Sequence, residues 1–131
     1  MKLTHVSGKR KSAIARATLC EGSGKVRINK VLIDVYEPKV ARMKLREPLQ
    51  LAGDIVQGLD ISVTVRGGGT VSQAEAARLA IARALSVFDK KLESVFQKYD
   101  RHLLVGDVRR KETRKPNRHG KARSKTQKSY R

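Results

Sequence analysis

Ile61-Ser62-Val63-Thr64-Val65-Arg66-Gly67-Gly68-Gly69-Thr70-Val71-Ser72-Gln73-Ala74-Glu75 changes its period halfway along. Ile61, Val63 and Val65 alternate with Ser62, Thr64 and Arg66, the two-residue period of a half-buried strand. Three glycines stop that strand. Ser72 and Glu75 then stand in the S-x-x-E spacing of a capping box, in which each side chain satisfies the other residue's free amide. The spacing predicts a helix from there to about Ser86. Ala74, Ala77, Ala80 and Ala84 give it a smooth face that can lie close to a sheet, with Ile81 and Leu85 as larger knobs.

On the N-terminal side, Ala13, Ala15, Ala17 and Leu19 alternate with Ile14, Arg16 and Thr18, so Ser12 to Cys20 reads as a strand, weakened by its alanines. Glu21-Gly22-Ser23-Gly24 reads as a turn and Lys25 to Asn29 as the partner strand of a hairpin. Val40, Met43, Leu45 and Leu49 have helical spacing, with Pro48 expected to break the helix into two short pieces and Gly53 to end it. On the C-terminal side, Phe88, Leu92, Val95, Phe96 and Tyr99 mark a further helix, and His102 to Val105 a last short strand. The predicted order is β-β-α-β-α-α-β. That order implies an α+β (or α/β) domain with a mixed sheet and packed helices, and the default for its crossover is right-handed.

The chain has 131 residues, 30 Lys and Arg, 12 Asp and Glu and a net charge of +18. Residues 106–131 alone hold 11 of those basic and two of those acidic side chains, half of the net charge in a fifth of the length. Only Val108, Ala122 and Tyr130 there are hydrophobic, too few to offset the ordering entropy by burial. The expected organisation is a globular domain over residues 1–105 and an extended basic tail over 106–131. No run approaches the ~18 apolar residues of a membrane span, and no hydrophobic stretch of a secretory signal follows Met1-Lys2. A single cysteine, Cys20, cannot form an internal disulfide, and a reducing cytosol is its natural setting. Three scattered histidines give no zinc spacing, so no metal or other cofactor is expected. The polar tail lacks an amphipathic face for lipid. Nucleic acid is therefore the leading partner class.

Gly67, Gly68 and Gly69 ahead of a helix would let backbone amides approach a nucleotide phosphate or an RNA phosphate. The plainer reading is a tight strand-to-helix reversal. The phosphate-loop pattern of P-loop enzymes is not matched, since no lysine follows these glycines and Gly24-Lys25 lacks its other positions. Lys9, Arg10, Lys11 and Arg16, with Arg27 nearby, occur where residues 1–20 have no acidic side chain, which favours phosphate binding over a merely solvated face. Arg66 closes the cleanest strand. In the tail, Arg109, Arg110, Lys111, Arg114, Lys115, Arg118, Lys121, Arg123, Lys125, Lys128 and Arg131 recur without helical spacing or an apolar stripe. At ~3.3 Å per residue such a segment would reach on the order of 80 Å and thread between RNA helices. A solubilising or nuclear-import tail needs less charge. No catalytic set of residues has a motif context. RNA binding without covalent chemistry is the leading reading. A nucleotide-dependent enzyme using Gly67–Gly69 and a DNA-condensing protein are the alternatives.

Three segments resemble the universal small-subunit ribosomal protein S nine family over essentially the whole chain. Gly8-Lys9-Arg10-Lys11-Ser12-Ala13-Ile14-Ala15-Arg16-Ala17 is similar to its first strand. Gly67-Gly68-Gly69-Thr70-Val71-Ser72-Gln73-Ala74-Glu75-Ala76, continuing through Ala80, Ala82, Arg83 and Ala84, resembles its signature of three glycines and a small-residue helix. Gln127-Lys128-Ser129-Tyr130-Arg131 is similar to the archaeal and eukaryotic branch. The match departs at Val108, where the family more often has proline after the aspartate, and at Thr113-Arg114-Lys115-Pro116-Asn117. The resemblance implies a fold like domain two of ribosomal protein S five, with a left-handed crossover in place of the default. It implies a cytoplasmic ribonucleoprotein: a place in the head of the small ribosomal subunit, with the domain on rRNA beside neighbouring ribosomal proteins. It further implies a tail that reaches the anticodon stem-loop of the peptidyl-site tRNA. That last role falls on Arg131, with Lys128 and Tyr130 beside it.

Overall fold

The computed structural model describes residues 3–117 together with 122 and 123. Its eight principal elements are β1 (Thr4–Arg10), β2 (Ala13–Glu21), β3 (Val26–Ile28), β4 (Val31–Leu32), α1 (Lys39–Ala52), β5 (Leu59–Arg66), α2 (Thr70–Phe88) and α3 (Lys91–Tyr99). The strands form one mixed sheet in the order β1-β2-β5-β3-β4. β1, β2 and β5 run antiparallel in turn, while β3 runs parallel to β5 and antiparallel to β4. A parallel pair needs a crossover, and β4 and α1 lie within it. The α+β class with a mixed sheet is thus as the sequence patterning implies.

All of the core lies on one side of this sheet. Ala13, Ala15, Ala17 and Leu19 of β2 and Leu59, Ile61, Val63 and Val65 of β5 are buried, and their alternate neighbours face outward. α2 packs across β1, β2 and β5 on the buried side, and α1 packs on α2. Being covered from two directions, α2 is buried nearly all round, Ala76, Leu79 and Ala82 as well as the face built of Ala74, Ala77, Ala80 and Ala84. The small side chains permit a close approach to the sheet. At Gly8 a Cβ would stand 2.7 Å from the Ala76 carbonyl oxygen and 2.8 Å from the Ala80 amide nitrogen, so only glycine lets β1 lie this near the helix.

The strand-to-helix reversal at Gly67–Gly69 has a similar steric cause. Gly67 has φ +80, and a Cβ there would come within 2.6 Å of the Ser12 carbonyl oxygen in the β1–β2 turn. Gly53, with φ +69, ends α1 and sends its amide to the Leu49 carbonyl.

Several expectations are corrected. The segments 12–20 and 25–29 are strands but not a hairpin, because β5 lies between β2 and β3 and hydrogen-bonds both. The hairpin partner of β2 is β1, whose weakly apolar Thr4, Val6 and Gly8 hide its alternation. Pro48 does not break α1. It loses one amide bond within the helix, but its ring is buried beside Leu45 and Ala52, and that burial holds the helix together. The capping box does not form: α2 starts at Thr70 with Gly69 as its cap, and no side chain caps it. Glu75 is drawn away by basic groups of β1 and α1 instead. α3 starts only at Lys91, with Phe88 closing α2. Residues 102–105 form no strand; Arg101–Leu103 is a single 3-10 turn that seats Leu103 in the core.

Candidate nucleic-acid interface

The outward side of β1, β2, β5 and β3 carries no helix, and the strand register sets its side chains in rows. Lys9, Ile14 and Arg66 form one row, Ser7, Arg16 and Thr64 the next, and His5, Thr18, Ser62 and Arg27 a third. His5 Nδ1 and Thr18 Oγ1 lie 2.9 Å apart within that last row. Asn29, at φ +51 just past β3, ties β3 to β5. Its amide donates to the Val63 carbonyl at 2.8 Å, and its side chain accepts from the Val65 amide at 2.8 Å. The face presents cations, hydroxyls and Ile14, with no Phe, Tyr or Trp and with the His5 imidazole on its edge strand, which suits a phosphate backbone better than base stacking.

Toward the helices, several basic groups have anionic partners, although Lys39, Arg42, Lys90, Lys91, Lys98 and Arg101 form no ion pair among the described residues. Arg10 donates to Glu75 at 2.6 Å and lies 3.3 Å from Asp107, and Lys44 donates to Glu75 at 3.4 Å. Arg78 donates to Glu47 at 2.8 Å and to Asp100 at 3.2 Å, and Arg46 to Asp34 at 2.6 Å. Burial works to raise the Glu75 carboxyl, but hydrogen bonds from Arg10 and Lys44 outweigh it and hold the group below its ordinary value. The same balance, with the His102 amide and Arg78 as donors, lowers Asp100. Among the described residues, Lys9, Lys11, Arg16, Arg27 and Arg66 form no ion pair. The nearby Asp60 carboxylate is held low by the Lys25 amide and, more weakly, by the Ser23 and Gly24 amides and Arg27. It accepts from the Lys25 amide at 3.1 Å and the Ser23 amide at 3.0 Å, which orders the loop between β2 and β3.

The residues singled out in the sequence fall into five groups. Lys9, Arg16 and Arg66 share the open face, and Arg27, visible in the same alternation of Lys25 to Asn29, joins them. Lys11, at φ +53 in the β1–β2 turn, lines one cleft with Arg10, Arg109, Arg110 and Lys111. Arg10 itself sits largely inside an ion-pair cluster, its side chain 14% exposed. Gly67 and Gly68 pack on Ser12 and Ala13, and Gln73 donates to the Gly67 carbonyl at 3.1 Å, which gives the glycine loop a structural reason of its own. Arg114 and Lys115 are exposed in a segment without regular structure, and Arg123 donates to Glu112 at 2.9 Å. Arg118, Lys121, Lys125, Lys128, Tyr130 and Arg131 lie outside the described residues.

Two arginines of the domain have a part the sequence does not announce. Arg83 of α2 donates to the Leu104 carbonyl at 2.9 Å and to the Ser7 carbonyl at 3.1 Å, fastening the segment after α3 to β1. Arg78 joins α1, α2 and the residue after α3. Neither position stands out by composition or spacing. No helix of the described residues is long and apolar enough to cross a membrane.

The chain is 53% identical to the small ribosomal subunit protein uS9 of Methanococcus vannielii over the full length of both chains. It is 51% identical to the protein of that name from Methanococcus maripaludis, strains C7 and C5, again over the full length of each. The family profile described as ribosomal protein S9/S16 matches residues 8–131. On these matches, the chain belongs to the ribosomal protein S9/S16 family.

Proposed function

We propose that this protein is a structural component of the small ribosomal subunit. It binds rRNA through the open face of its sheet and through its basic tail, and it performs no covalent chemistry. The observation that carries the reading is the strand register: Lys9, Arg16, Arg27 and Arg66, none of them in an ion pair among the described residues, stand in adjacent rows on a helix-free surface. An unpaired cationic surface is repelled by itself and is stabilised by a polyanion. Full-length identity to ribosomal relatives supports the particle as the setting.

The finer parts of the reading follow the family resemblance. The domain sits in the subunit head with a fold like domain two of ribosomal protein S five, among neighbouring ribosomal proteins in the cytoplasm. Arg109, Arg110, Lys111, Arg114, Lys115, Arg118, Lys121, Arg123 and Lys125 follow rRNA, and Lys128, Tyr130 and Arg131 meet the peptidyl-site tRNA. Co-sedimentation is the direct test: the chain is expected to stay with small subunits through a high-salt wash, and its release into the wash would refute the assignment. Ribosomes carrying Arg131→Ala are expected to assemble but to hold peptidyl-site tRNA less well; unchanged retention would remove tRNA from the account. A nucleotide-dependent enzyme, by contrast, would show saturable micromolar binding of ATP or GTP by calorimetry.

A further inference from the structure

We infer that Asp107 is a positioning residue, clasping the root of the tail to Arg10 so that Lys11, Arg109, Arg110 and Lys111 share one cleft for an RNA backbone phosphate. The inference rests on the rRNA reading above for its ligand, but the clasp is a property of the free protein.

The geometry is specific on both sides of Asp107. Its Oδ2 lies 3.3 Å from Nη1 of Arg10, a nitrogen that is buried and has no hydrogen-bond partner among the described residues. Asp107 is therefore the nearest compensation for that half of the guanidinium, the other half being held by Glu75 at 2.6 Å. A buried charged nitrogen left without an anion is costly, so the contact favours the docked root. On its outer side the same carboxylate takes the tail in hand. The Arg109 amide donates to Oδ1 at 2.9 Å, and the Arg109 guanidinium donates to Oδ2 from Nε at 2.9 Å and from Nη2 at 2.6 Å. Arg110 Nη1 then closes on the backbone, donating to the Asp107 carbonyl at 2.7 Å and to the Arg109 carbonyl at 3.0 Å.

The root of the tail is thus held against the domain through Asp107. The consequence is the cleft, lined by Arg10, Lys11, Arg109, Arg110 and Lys111 and by no carboxylate-bearing residue. Such a lining selects an anion with several acceptor oxygens, and a phosphodiester backbone passing from the open sheet face to the tail would cross it. On this reading the globular domain extends to about Lys111, six residues past the end at residue 105 that the composition suggests.

The test is a charge-matched comparison on the full chain. Asp107→Asn and Glu112→Gln each remove one acidic group from the same segment, but only the first touches the clasp. In free protein, backbone 15N relaxation is expected to show residues 107–111 as rigid in the wild type and in Glu112→Gln, and as mobile in Asp107→Asn. Asp107→Glu, which keeps a carboxylate, is expected to restore part of the order. Against small-subunit rRNA, charge alone predicts the same or tighter binding for both neutral variants. The clasp predicts instead that Asp107→Asn makes the salt slope of log affinity shallower by about 2, the share of two to three phosphates, while Glu112→Gln leaves it unchanged. Unchanged relaxation in Asp107→Asn would overturn the clasp. Equal slopes for the two variants would overturn its bearing on RNA. Failure of every form to bind rRNA would instead refute the RNA reading, and with it the cleft's ligand, while the relaxation data still judged the clasp.

Discussion

Gly8 and Glu75 are the two positions at which a single group decides how β1 meets α2. Gly8 faces backbone on the helix, not the yielding end of a side chain, so an added methyl forces the strand and helix apart. Gly8→Ala is expected to lower the urea midpoint by the equivalent of about 1–3 kcal/mol, although alanine is the better residue for an ordinary strand. An unchanged midpoint would mean that the close approach carries no weight. Glu75 gives a pH signature. Its carboxyl is lowered in the folded chain by Arg10 and Lys44, against the opposing effect of burial. The stability it contributes is therefore fully present above the ordinary carboxylate range and lost as pH falls through the lowered folded value. The urea midpoint of the wild type is expected to fall below about pH 4, and that of Glu75→Gln to fall less over the same interval. Parallel pH profiles would show that the pair stabilises nothing.

At the scale of elements, what could be read in advance followed from how local each signal is. β5 and α2 are legible because each keeps one period for a full element and three glycines mark the break between them, although the Ser12 carbonyl that requires a glycine at Gly67 is remote in sequence. The capping box fails because Glu75 has remote suitors, Arg10 and Lys44, that no local spacing reveals. The false hairpin has the same root: adjacency in sequence suggests pairing, but a strand some thirty residues later inserts between β2 and β3. Pro48 misleads because propensity ignores burial. Lys9, Arg16 and Arg66 were marked by charge and alternation, but their assembly on one face required the register. Arg83 remained hidden, since its role is to bond carbonyls of two distant segments. Arg83→Ala is expected to cost about 1–3 kcal/mol and to speed amide exchange around residues 103–106 more than elsewhere. Exchange that quickens uniformly, or not at all, would argue that the segment is held by Leu103 alone.

For the molecule as a whole, the net charge of +18 includes two outer cationic regions. These regions are the open sheet face and the tail, and the cleft at Asp107 lies where they meet. That layout explains how a chain so rich in like charge keeps a compact core: the uncompensated cations project into water, away from the apolar layer between sheet and helices. It also predicts that binding is shared, with part of the phosphate contacts made by the domain itself.

The salt dependence of binding to small-subunit rRNA measures that share. If the wild type neutralises about 6–8 phosphates, log affinity should fall against log salt with a slope of about −4 to −6. The variant Arg16→Gln, Arg27→Gln, Arg66→Gln, altered only on the helix-free face, is expected to keep its urea midpoint and to show a slope shallower by about 2 to 3. A slope identical to that of the wild type would contradict the assignment of this face to RNA.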